Sequence, residues 1–72
     1  MATANTGTSD TTYNLTSVLY HALQGVETYD RYIRDAEQAQ DNDLAQFFRE
    51  VQQAEKQWAQ RAQQLLAQRL KS

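Results

Sequence analysis

Between Leu15 and Ala36 the apolar residues recur at intervals of mostly three and four: Leu15, Val18, Leu19, Ala22, Val26, Tyr29, Ile33 and Ala36. At about 100° per residue they share one side of a helix, and Leu23 widens the stripe. The spacing predicts a helix over 14–40. Asn14 serves as its N-cap, because the side-chain oxygen can accept from an orphan amide of the first turn. The pattern breaks at 41–42, which reads as a turn. It resumes with Leu44, Phe47, Phe48, Val51, Ala54, Trp58, Ala62 and Leu65, flanked by Ala59 and Leu66. These predict a second helix over 43–70, opened by Asp43 and Gln46 in capping-box spacing. The glutamines of this helix, Gln52, Gln53, Gln57, Gln60, Gln63, Gln64 and Gln68, read as solvated positions, since Gln is a good helix former.

Two helices of this length, each roughly 40 Å long, joined by so short a turn must run antiparallel. The expected fold is therefore all-α: a two-helix hairpin that self-associates into a four-helix bundle. Self-association follows from area, because one hairpin cannot bury both stripes. Residues 1–13 have no apolar period and read as a flexible tail. Gly25 lies inside the first helix, where it costs about 1 kcal/mol relative to Ala. Close approach of a neighbouring helix explains it, and so does drift at a tolerant site.

Composition narrows the function classes. The chain has 72 residues, no cysteine and no proline, so no disulfide can staple so small a domain. Seven basic residues are scattered among nine acidic ones, for a net charge of −2. A nucleic-acid surface needs clustered Lys and Arg, so none is expected. No apolar run approaches the roughly 20 residues that span a bilayer, and residues 1–12 carry no secretory signal. A cytoplasmic location and no membrane association are expected. There is no glycine-rich phosphate loop and no nucleophile–base pair.

The candidate chemistry centres on Glu55. Val51 and Ala59 lie at i−4 and i+4, Phe48 and Ala62 at i−7 and i+7, and Trp58 at i+3. A carboxylate so surrounded is aimed at the core or its edge, where an unpaired charge costs several kcal/mol. It requires a metal, a cation or hydrogen-bond donors. Tyr29, Trp58 or an arginine of a neighbouring helix could supply the last two. With the turn near 41–42, Glu55 is level with residues 27–29, which brings in Glu27 at the edge of its own stripe. Two copies each of Glu27 and Glu55 could converge at one level in a dimer. The bland reading of Glu27 is an i,i+4 ion pair with Arg31, repeated by Asp30 with Arg34. Tyr29 and Trp58 read as core aromatics, Tyr13, Tyr20 and Tyr32 as lining an oligomer interface, and His21 as a surface or interface residue.

VETYDRY over 26–32 and AEKQWAQRA over 54–62 resemble the metal motifs of the ferritin-like superfamily, in its two-helix encapsulated-ferritin form. There one helix supplies a Glu, the next supplies Glu-x-x-His, and pairing of hairpins completes a di-iron site. The resemblance covers nearly all of residues 14–70. It matches Glu27 to the lone glutamate and Glu55 to the glutamate of Glu-x-x-His. The histidine position holds Trp58, whose indole nitrogen keeps its proton and cannot coordinate as an imidazole does. A ferroxidase is not expected without that histidine. Two readings stand. The first is a non-catalytic structural or interaction module, a homo-oligomer that also docks another protein, with a degenerate metal site. The second is a carboxylate-only site for iron or manganese, with Glu27 and Glu55 as metal ligands at a dimer interface.

Overall fold

A computed structural model describes residues 10–71. It contains two helices, α1 (Asp10–Gln38) and α2 (Asn42–Lys71), and no strand among the described residues. The helices run antiparallel, since Val26 meets Gln52 while Glu37 meets Arg49. The expected all-helical hairpin is therefore present. Residues 1–9 of the expected tail lie outside the described residues. Residues 10–13 belong to α1, which begins four residues before the anticipated Asn14. Asp10 in the first turn places a negative charge at the positive end of the helix dipole. Within α1 the Thr16 hydroxyl donates to the Thr12 carbonyl at 2.9 Å, so a threonine-rich start is compatible with helix. Tyr13 is the one apolar residue there, too little to set a period.

The turn has one residue with two duties. The Gln40 amide donates to the Glu37 carbonyl and the Asp41 amide to the Ala36 carbonyl, both at 2.9 Å. Gln40 stands at φ 59°. This is the Schellman closure of a helix, with Gln40 in the left-handed position usually held by glycine. The carboxylate of Asp41 then accepts from the Leu44 amide at 3.2 Å, which makes Asp41 the N-cap of α2. The capping role expected of Asp43 falls two residues earlier. Asp41, Asn42 and Asp43 are all competent caps, and the closure of α1 decides among them.

The most deeply buried side chains are small. Ala22, Ala36, Ala45, Ala59 and Ala62 are the buried apolar residues, and Ala45 is 1% exposed. On α2 the contact runs along Ala45, Gln52, Ala59 and Leu66, spaced by seven as a helix lying beside another requires. It therefore does not follow the line of the largest apolar residues. Tyr29, Tyr32 and Phe48 cluster near the turn, with Tyr29–Tyr32 centroids 5.2 Å apart and Tyr32–Phe48 5.6 Å apart. Elsewhere Leu15, Leu19, Val26, Ile33, Val51, Leu65 and Leu66 are half-buried, and other large side chains remain outside. Trp58 is 62% exposed, Phe47 56% and Val18 53%. Trp58 is thus not a core aromatic of the single hairpin. The Cα envelope measures 49 × 24 × 15 Å, a single layer of helices. Its radius of gyration is 15.9 Å, against about 11 Å for a compact chain of this length.

Gln40→Gly relieves a left-handed strain of about 1 kcal/mol and raises the thermal midpoint, while Asp41→Ala removes a cap and lowers stability by about 1 kcal/mol. Circular-dichroism melts at one fixed protein concentration measure both.

Candidate functional site

Glu55 lies over Gly25. A Cβ placed on Gly25 would stand 3.2 Å from both Cδ and Oε1 of the Glu55 side chain. Close approach, rather than drift, thus accounts for the glycine: the missing side chain leaves a notch that the carboxylate group fills. Glu55 is half-buried there. Neither Tyr29 nor Trp58 donates a hydrogen bond to it.

Glu27 goes elsewhere. It is two residues beyond Gly25, which at 100° per residue turns it to the outer side of α1. It is exposed and lines a shallow groove of about 300 Å³ with Tyr20, Leu23 and Gln24. One chain therefore does not bring Glu27 and Glu55 together. Among the described residues, no three His, Cys, Asp or Glu side chains are grouped to hold an ion. A metal site using both glutamates would have to draw ligands from more than one chain. His21 is exposed and edge-on to Tyr20, with ring centroids 5.6 Å apart.

The two broad faces of the hairpin differ. One is bridged by polar side chains. The Gln52 amide nitrogen donates to the Val26 carbonyl and to the Asp30 carboxylate, each at 2.8 Å. Gln52 is half-buried and ties the helices together, so it is not one of the solvated glutamines. Asp30 is engaged by Gln52 instead of pairing with Arg34. One turn nearer the loop, Arg49 pairs with Glu37. That pair is about half exposed, and such pairs contribute at most about 1 kcal/mol.

The opposite face is apolar. On α2 it carries Leu44, Val51, Trp58 and Leu65, a column repeating every seven residues beside the alanine seam. On α1 it carries Val18, Gly25 and Tyr32 at the same spacing, continued by Ala39 in the turn. Tyr32, Ala36, Ala39, Leu44 and Phe48 line an open groove of about 350 Å³ near the turn, with Asp35 and Asp41 also in its lining. Glu55 in its notch lies near the middle of this face. Apolar stripes were legible in the sequence, but Gln52 as a bridge was not. Its one signal is its place seven residues from both Ala45 and Ala59. Searches against protein families, curated proteins and solved structures return no match.

The notch predicts coupling between its two residues. With Glu55→Ala in place, Gly25→Ala should stabilise the hairpin by about 1 kcal/mol through helix propensity. With Glu55 present the gain should fall by about 0.5 kcal/mol or more, because the carboxylate must move. Denaturant titrations of the four proteins at one concentration give the coupling, and equal gains in both backgrounds would remove it.

Proposed function

We propose that the protein is a non-catalytic interaction module, a ferritin-like helical hairpin that self-associates into a four-helix bundle. One observation carries this reading: the fully buried residues are all alanines, while Trp58, Phe47, Val18 and Leu44 stay exposed along one side of the hairpin. Large apolar side chains gathered on one face mark an interaction surface. Bundle formation gives that single helical layer the second layer a stable domain needs. No described helix is long and apolar enough to cross a membrane, so a bilayer-spanning role is not the use of that surface.

The chemistry of the candidate ligands supports a binding role over a redox one. Trp58 stands three residues after Glu55, where the resembled motif has its imidazole, and offers no lone pair to a metal. Glu27 and Glu55 occupy different sides of the hairpin. A dimeric carboxylate site for iron or manganese is the reading against which this one is tested.

Sedimentation velocity at micromolar concentration should give a dimer or larger oligomer, and a monomer would contradict the proposal. Fe(II) and Mn(II) titrated into the same sample should leave the melting temperature unchanged. A specific ion would raise it by mass action. A rise abolished by both Glu55→Ala and Glu27→Ala would establish the metal site instead.

A further inference from the structure

We infer that the occupant of the apolar face is a second copy of this chain, lying lengthwise along α2. This rests on the self-association proposed above and assigns it to one surface. The first support is the period of the exposed residues. α2 carries two columns of seven-residue spacing. Ala45 and Ala59 are buried and Gln52 and Leu66 half-buried, while in the neighbouring column Leu44 and Trp58 stay exposed and Val51 and Leu65 are half-buried. A second column of four positions at that period fits another long helix packed at a shallow angle. A partner of matching length is a helix of about 30 residues, and α1 and α2 have 29 and 30.

Area is the second support. Val18, Tyr32, Leu44, Phe47 and Trp58 retain 53%, 37%, 40%, 56% and 62% of their surface. Together they expose on the order of 500 Å² per chain, taking aromatic side chains as about 150–250 Å² each. A standard interface buries about 800 Å² per partner, so these five residues supply more than half of one partner's share. The opposite face is less suited to the role. Its helices are already spanned by Gln52 with Asp30 and by Arg49 with Glu37, and docking there would desolvate those groups.

Pairing on the apolar face covers the notch. The Glu55 carboxylates of both copies, each seated over Gly25, are then drawn toward one interface, where like charges repel. Removing the charge while keeping the shape should strengthen association.

The test uses the full chain and sedimentation equilibrium across a concentration series, with helicity followed in parallel. Trp58→Ala should weaken association tenfold or more, as expected for a tryptophan anchor. Val18→Glu should give monomer at concentrations where the parent protein is dimeric. Leu23→Glu, a substitution at an exposed position bordering Glu27 on the other side, should leave association unchanged. Glu55→Gln should tighten it. If Val18→Glu loses its helices, Trp58→Ala and Leu23→Glu decide the question alone. An oligomer weakened by Leu23→Glu but indifferent to Trp58→Ala would overturn this face while leaving self-association standing. Indifference to both would do the same. A parent chain that is monomeric at every concentration would overturn both.

Discussion

Alanine at the seam sets how near α1 comes to α2, and the remaining structure follows from that closeness. Ala22, Ala36, Ala45, Ala59 and Ala62 are buried because small side chains let two helices lie tightly together. The same closeness leaves no room between the helices for Trp58, Phe47 or Val18. These are displaced to one face, where they remain exposed. A seam of methyl groups contributes little apolar burial, at about 25 cal/mol per Å². Half-buried Leu19, Val26, Tyr29, Ile33 and Phe48 add to that seam, but the largest exposed residues stabilise the hairpin further only when something covers them.

The polar devices serve register more than strength. Asp41 ends α1 with its amide and begins α2 with its carboxylate, so the relative start of the two helices is set within one residue. Gln52 reaches Val26 and Asp30, and Arg49 reaches Glu37, which repeats the same alignment along one edge. Glu55 and Gly25 add a steric element, a carboxylate seated in a missing side chain. Slipping one helix along the other would break all of these together. The polar edge and the apolar face are consequently two sides of one arrangement, one tying the hairpin and the other open.

Much of this was legible from residue spacing, and the misreadings share a cause. Two helices, the short turn and the antiparallel course follow from the 3–4 rhythm and from three capping residues in a row. The wheel locates the sum of all apolar contacts a helix makes, without dividing them between partners. It therefore placed Trp58 on the main stripe of α2 and Ala59 on its flank, whereas Ala59 is buried with Ala45 and Ala62 and Trp58 is exposed. That shift moved Gln52 from the presumed wet side into the seam. It also changed the residue facing Glu55 from Glu27 to Gly25, a displacement of two positions. On a helix two positions amount to about 200°, enough to carry a candidate ligand to the far side. The start of α1 at Asp10 was hidden because threonines and an aspartate carry no apolar rhythm.

The most direct test of the account is the fluorescence of Trp58, the only tryptophan of the chain. Its indole is largely exposed in a single hairpin and lies on the face assigned to the second copy. The account predicts emission well to the blue of free tryptophan in water at high micromolar concentration. On dilution the emission should move to the red, along the same curve as the loss of dimer in sedimentation. Emission characteristic of a fully hydrated indole at every concentration, from a chain that remains helical, would contradict it.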